Sequence, residues 1–346
     1  MPFGSPSRIL HAVGLLVACV SASSSFSATL AIAVGGRTFT LDGKPFDMWG
    51  IRTASASQRS ELTDHLLAQL DEYRAHGVNT VDVFYMGSSG AYCDPFSPDG
   101  TTIARSHQER MERIISACDQ RGMVVVVGIF YQRSDAPQLR SWDASKRAVR
   151  AVTEALQRFG NVIINVANEQ NHPTYAGLPW GRVLEPDQVL ALCRIVKEAD
   201  PKRLVGAGGY DHKNNEILGR SPRTDVLLFD TAGGESSVEL FRRFRAAGVE
   251  KPMVNVEMFG GWTNQFLPQG VFPERVKRAY RDEVDGVSKT EGLYLHFHNT
   301  PWCQPFTLGN KTRYDPGGDG TAQDPGIRWY FEHVGERLRQ PPSVPH

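Results

Sequence analysis

The feature that most constrains this chain is a long alternation of short apolar runs with amphipathic stretches of helical period. The apolar runs fall at 48–53, 78–85, 123–130, 162–167, 203–207, 225–229, 253–256 and 293–298, eight in all. Several are apolar without interruption, as in Met123-Val124-Val125-Val126-Val127. A strand of that kind has no face to offer water, which is the pattern of parallel sheet covered by helices. Between the runs, Leu62, Leu66, Leu67, Leu70 and Tyr73 recur at helical spacing ahead of Gly77. Val149, Val152, Leu156 and Phe159 do the same ahead of Gly160, and Val238, Phe241 and Phe244 ahead of Gly248. A glycine just past the last periodic residue is the expected helix stop. The fifth helix, around 215–219, is short, and a last one over 326–338 closes the series.

Eight strand–helix units in one chain of this length predict an α/β fold, a single (β/α)8 barrel of the triosephosphate-isomerase (TIM barrel) type over 31–340. An open doubly wound sheet would carry a glycine-rich phosphate loop after its first strand. The first run leads instead into Arg52-Thr53-Ala54-Ser55, and Gly206-Ala207-Gly208-Gly209 follows the fifth run without opening a clear helix. Ahead of the barrel, 36–47 alternates around Asp42-Gly43 and reads as a β-hairpin.

Residues 1–30 have a different character. Arg8 precedes the apolar run 9–18, which is too short to span a bilayer and is followed by small residues and serines. That order describes an export signal. A buried N-terminal helix is the alternative, and the serine-rich stretch 21–27 opposes it. Leu16-Val17-Ala18-Cys19 resembles a lipobox, so Cys19 is a candidate lipid anchor, with plain cleavage after Val20-Ser21-Ala22 as the competing outcome. The protein is therefore expected to be secreted or periplasmic, and anchored at the envelope if Cys19 is lipidated. Lys plus Arg and Asp plus Glu number 38 each, which leaves no basic footprint for nucleic acid. Cys118 and Cys193 sit in apolar helical series, while Cys93 and Cys303 lie in loops where an oxidising compartment permits a bridge. The tail 341–346 is expected to fray.

In such a barrel, reacting groups come from the C-terminal ends of the strands. Asn168-Glu169 follows the fourth run and Glu257 the seventh. A carboxylate ending an apolar strand is costly to bury without a partner or a function. Two of them three strands apart face each other across the mouth, the arrangement that cleavage of a glycosidic bond requires.

With these two glutamates, and with Trp302 past the eighth run, the chain resembles the retaining glycoside hydrolases of clan A, most closely the cellulase-like family 5 group. Phe39 to Phe46 leading into Trp49-Gly50-Ile51 is similar to the start of such barrels. The resemblance implies that Glu169 is the acid/base and Glu257 the nucleophile. It further implies that Asn168 binds the sugar 2-hydroxyl and that Trp302 floors the subsite of the cleaved sugar. Four departures leave family and substrate open. Gln170 follows the first glutamate, and Asp82 stands where the group carries an arginine. Tyr131-Gln132 and Asp230-Thr231 occupy the places of a His and a Tyr. Arg52 is expected either to supply the missing cation beside Glu257 or only to balance Asp82.

Further candidates for the cleft are His298, nearer the mouth than His296, and the aromatics Tyr131, Trp180 and Trp262, whose flat faces suit sugar rings. His172 and His212 lie in loops past strands four and five and read as plain loop residues that still reach the rim. The oxygen-rich segment 315–324 lacks the ordered spacing of a calcium loop and reads as a turn. No cofactor or metal is expected, and the partner is a carbohydrate substrate. The alternatives are a non-catalytic carbohydrate-binding protein on the same barrel and a metal-dependent hydrolase built on His296 and His298, for which no partner set is evident. Oligomeric state, sugar and linkage, and internal against terminal cleavage are not legible.

Overall fold

The computed structural model describes residues 1, 27–88, 92–132, 137–260, 270–299 and 314–339. Cys19, Trp262, Trp302, Cys303 and the tail 341–346 lie outside them. Eight parallel strands close into a barrel: β4 (Trp49–Arg52), β5 (Thr80–Phe84), β6 (Val124–Phe130), β7 (Val162–Ala167), β8 (Leu204–Ala207), β9 (Val226–Asp230), β10 (Met253–Glu257) and β11 (Leu293–Phe297). They follow one another in chain order, and β11 pairs with β4 to close the ring. Each falls on one of the eight apolar runs. The helices between and after them are α1 (Ser60–Ala75), α2 (Arg105–Asp119), α3 (Trp142–Ala155), α4 (Pro186–Ala199), α5 (His212–Arg220), α6 (Ser237–Ala246), α7 (Glu274–Val287) and α8 (Arg328–Arg339). The fifth helix is short, nine residues, as its sequence suggests. No helix of the described residues is long and apolar enough to cross a membrane.

Period-two alternation sorts the barrel side chains into two cores. Val81, Val125, Val127, Ile164, Val205 and Leu295 face outward and pack with helix residues such as Leu62, Met111, Val149 and Val189. Val124, Val126, Ile163, Leu228, Val254 and Tyr294 form the inner cluster. Leu30, Phe39 and Phe46 join that inner cluster from a separate antiparallel sheet of β1 (Leu30–Ile32), β2 (Phe39–Leu41) and β3 (Lys44–Phe46). This sheet closes the N-terminal end of the barrel. The β2–β3 connection is the expected hairpin, with Asp42 and Gly43 both at positive φ, 52° and 75°, as a primed turn requires. β1, the third strand, carried no separate signal in the sequence.

The inner core also holds a buried polar pair. His296 Nδ1 lies 2.9 Å from both carboxylate oxygens of Asp82, and both side chains are fully enclosed. Asp82 is thus matched across the β11–β4–β5 arc by His296, and Arg52 is left for other work. Cys118 and Cys193 are buried free thiols on α2 and α4, as read. Cys93 is also a free thiol, 3.5 Å from the Tyr85 carbonyl that it donates to. In segment 315–324 the carboxylates cap local backbone: Asp315 accepts from the amide of Gly317, and Asp319 from that of Thr321. That is turn chemistry.

Asp82→Ala would leave the imidazole of His296 without its partner in a sealed core. Urea unfolding should show a loss of about 1–3 kcal/mol. A stability equal to wild type would show that the pair contributes nothing.

Candidate active site

The C-terminal ends of β7 and β10 deliver the two predicted glutamates by different local devices. Past β7 the chain turns sharply, and Glu169 sits at φ 38°, a left-handed conformation that costs a non-glycine residue about 1–3 kcal/mol. Hydrogen bonds on both sides hold the turn. The Asn168 amide donates to Phe130 O at 3.0 Å, the Gln170 amide to Gly208 O at 3.1 Å, and the His172 amide to Glu169 O at 2.7 Å. Tyr175 Oη donates to Asn168 O at 2.5 Å. At about 1 kcal/mol each, such bonds offset the strain. The Gly208-Gly209 pair is what permits the approach. A Cβ on Gly209 would meet Glu169 Cα at 3.2 Å, and one on Gly208 would overlap Leu228 O at 1.5 Å. The glycines of that loop serve to wedge the end of β8 between its two neighbours.

In β10 the register against β9 shifts between Asn255 and Glu257, so that Glu257 stands opposite Asp230. A bulge of this kind re-aims a side chain. Asn255 points outward and bonds Thr231 Oγ1 at 3.0 Å and Ser237 Oγ at 2.8 Å. Glu257, two residues on, is buried and faces the barrel mouth with the group now described.

Arg52 joins the two glutamates. Its Nη1 is 2.7 Å from Glu257 Oε2, with both side chains buried, and its Nη2 donates to Asn168 Oδ1. Asn168 Nδ2 donates to Gln132 Oε1 at 2.9 Å and to Glu169 Oε2 at 3.2 Å. Gln132 Nε2 donates to the same Glu169 oxygen. A continuous chain therefore runs Glu257–Arg52–Asn168–Gln132–Glu169. Of the two roles open to Arg52, the geometry selects the cation beside Glu257. His298 Nδ1 approaches the other oxygen of Glu257 to 3.4 Å.

A third carboxyl completes the cluster. Asp230, the last residue of β9, is 3 % exposed. One oxygen from each of Glu169, Asp230 and Glu257 lies within 4.8 Å of the others. Among the described residues this is the set that converges as metal ligands do, although the Arg52 guanidinium already engages it through Glu257. Burial, and then the charges of Glu257 and Glu169, raise the Asp230 carboxyl well above the ordinary carboxylate range. Burial also pushes the His298 imidazole down to about 4, against the pull of Glu257. Burial thus favours the uncharged form of Asp230 and leaves His298 neutral at neutral pH.

The remaining candidates fall into place around it. Tyr131 is buried edge-on to Phe84 at 6.3 Å between centroids, and Phe84 carries the Arg52 guanidinium at 5.1 Å. Trp180 is a core residue and presents no face for a sugar. It stacks on Phe130 and donates its indole N–H to Tyr131 O at 2.9 Å. His172 caps a short turn through Thr174, and His212 bonds Glu235 at 2.9 Å. Tyr210, past β8, is 38 % exposed and meets His172 edge-on at 6.2 Å. Burial raises its phenol, and Glu169, Asp230 and Glu257 add to the shift, which puts it on the rim of the cluster. Trp262 and Trp302 lie outside the described residues. Sequence reasoning did not select Gln132, Asp230 or Tyr210 for the site. The signal for the first two was their position as polar residues ending apolar strands.

No protein-family model matches the chain, and no curated protein matches its sequence. Solved structures do resemble it. One is the glycoside hydrolase family 5 mannosidase of Rhizomucor miehei, at TM-score 0.63 and 12 % identity, with 91 % of this chain and 99 % of that one covered. Another is the endo-1,4-beta-mannanase of the same organism, at 0.60 and 15 %, covering 90 % and 100 %. A third is the beta-mannanase of the blue mussel Mytilus edulis, at 0.57 and 15 %, covering 85 % and 98 %. The chain shares the barrel fold of these enzymes.

Two stability–pH signatures follow. The His298 imidazole takes a proton near 6.5 when unfolded and near 4 when folded. Its stabilising share is present above 6.5 and is lost as pH falls towards about 4, up to about 3 kcal/mol. Urea unfolding of His298→Asn should lack that loss, and parallel curves for the two proteins would refute it. Asp230 has the opposite sign. Its folded carboxyl holds the proton above the ordinary 3.8, so its share is full below that value and is lost as pH rises. Asp230→Asn should flatten the decline on the alkaline side, read as a rise in melting temperature at pH 8 of a few degrees, on the order of 1 kcal/mol. An unchanged or lower melting temperature there would count against it.

Proposed function

We propose that this protein is a retaining glycosidase acting on a β-linked oligo- or polysaccharide through a covalent glycosyl-enzyme intermediate. One observation carries the reading: Glu169 and Glu257 end barrel strands four and seven, and their carboxylate oxygens come within 4.8 Å of each other. Retaining enzymes hold their two carboxyls about 5–5.5 Å apart, whereas inverting enzymes leave about 6.5–9.5 Å for a water molecule. Glu257, ion-paired to Arg52, is the nucleophile. Its free electron pair forms a bond to the anomeric carbon while the bond to the leaving oxygen breaks. Glu169, oriented by Gln132 and Asn168, gives that oxygen its proton. It then takes a proton from water, whose oxygen displaces Glu257 and regenerates both groups. The β linkage rests on similarity to structures named as β-mannanases and a mannosidase. Export of the chain by the segment 1–30, with or without a lipid at Cys19, accords with a polymeric substrate met outside the cytoplasm.

A panel of aryl β-glycosides tests this directly. Glu169→Ala and Glu257→Ala should each lower kcat/KM by about 10²–10⁴-fold or more, and NMR of the first-formed product should show the β-anomer. An α-anomer would overturn retention. Sugar binding without turnover on any substrate would favour a carbohydrate-binding protein on the same barrel.

A further inference from the structure

Glu169 has two flanks, and they differ. On the β6 side its carboxylate accepts from Gln132 and Asn168, and Gln132 is held in turn by Asn168 at 2.9 Å and by Thr174 Oγ1 at 2.8 Å. On the β8 side the backbone itself comes close, since a Cβ on Gly209 would stand 3.2 Å from Glu169 Cα. The next residue is Tyr210. At 38 % exposure it is, among the described residues, the only Phe, Tyr or Trp left so open.

This ring is braced. It meets His172 nearly at right angles, 6.2 Å between centroids at 85°. His172 is tied to the Glu169 turn, its amide donating to Glu169 O at 2.7 Å and its Nδ1 accepting from the Thr174 amide at 3.2 Å. A perpendicular contact covers at most one face of the tyrosine, and the exposure of the residue gives the remainder to solvent. Glu169, Asp230 and Glu257 all act on its phenol, so the open ring borders the cluster and is not a remote surface.

The chemistry decides what comes there. Glu169 gives its proton to the leaving oxygen, so that oxygen lies against Glu169 and the group it carries extends away from Glu257. Gln132 and Asn168 fill one flank. The flank with open surface among the described residues is the one lined by Tyr210 and His172. A pyranose presents a patch of C–H bonds on its ring face, and a flat aromatic ring is the complement of that patch.

Resting on the glycosidase reading above, we propose that Tyr210, braced by His172, is the platform on which the sugar of the leaving group stacks, so that the bond cleaved joins two sugars. Tyr210 thereby sets specificity on the leaving side of the bond, and a small leaving group forgoes its contribution.

The test varies the leaving group on the same reacting sugar. It compares β-1,4-linked oligosaccharides of mannose and of glucose with β-mannosyl and β-glucosyl fluoride, whose leaving atom reaches no platform. Tyr210→Ala should lower the ratio of kcat/KM for oligosaccharide over fluoride by about tenfold. Tyr210→Phe keeps the flat face and should hold the wild-type ratio. A ratio unchanged in Tyr210→Ala overturns the inference and leaves the glycosidase reading intact. So does an equal loss on both substrates, or a wild type that hydrolyses a fluoride but no oligosaccharide. Should Tyr210→Ala not fold, Tyr210→Leu, bulky but not flat, takes its place with the same expected loss. If wild type cleaves neither kind of substrate, the glycosidase reading fails, and calorimetric binding of the same oligosaccharides still scores Tyr210. Binding weakened about tenfold in Tyr210→Ala and kept in Tyr210→Phe supports the platform; equal binding in all three proteins, or none, refutes it.

Discussion

The ion pair between Arg52 and Glu257 is the interaction on which the rest of the site depends. A buried carboxylate and a buried guanidinium are each expensive to desolvate, and removing either partner of such a pair typically costs about 3–5 kcal/mol. Arg52 spreads that constraint across the barrel mouth, because its second nitrogen grips Asn168. Asn168 in turn fixes Gln132 and Glu169. The orientation of one glutamate is therefore set by the charge of the other, through side chains from β4, β7 and the end of β6.

A closed barrel makes this possible. Its hydrophobic inner and outer cores hold strand ends at fixed spacing, so that strained or irregular backbone can be tolerated where it delivers a functional group. Glu169 at positive φ and the register shift before Glu257 are two such places. The Gly208-Gly209 passage is the complement of both, since it lets a strand end run in contact with the Glu169 turn and with Leu228. Opposite electrostatic outcomes arise within a few ångströms. Burial lowers the His298 imidazole while burial and neighbouring charge raise the Asp230 carboxyl.

How much of this was legible in the sequence differs residue by residue. Glu169 and Glu257 were readable because a carboxylate directly after an apolar run is anomalous wherever it occurs. Arg52 was readable only as one of two options. The other was closed by His296, which lies 214 positions from Asp82 in the chain and 2.9 Å from it in space. Gln132 and Asp230 were visible as departures from a family pattern, but nothing local to either says which neighbour it meets. Trp180 was misleading for the same reason, because an aromatic in a loop carries no mark of whether it packs inward or faces a ligand.

The sequence by itself determined the barrel and the two strand ends that carry the glutamates. Apolar runs of strand length separated by helical periodicity can bury their surface in few other ways, and that pattern is local. Tertiary structure decided the partnerships. It set Arg52 on Glu257, His296 on Asp82 and Asp230 among the glutamates, because Coulomb energy and desolvation depend on distances around a closed ring. Closure brings together residues that no spacing along the chain relates.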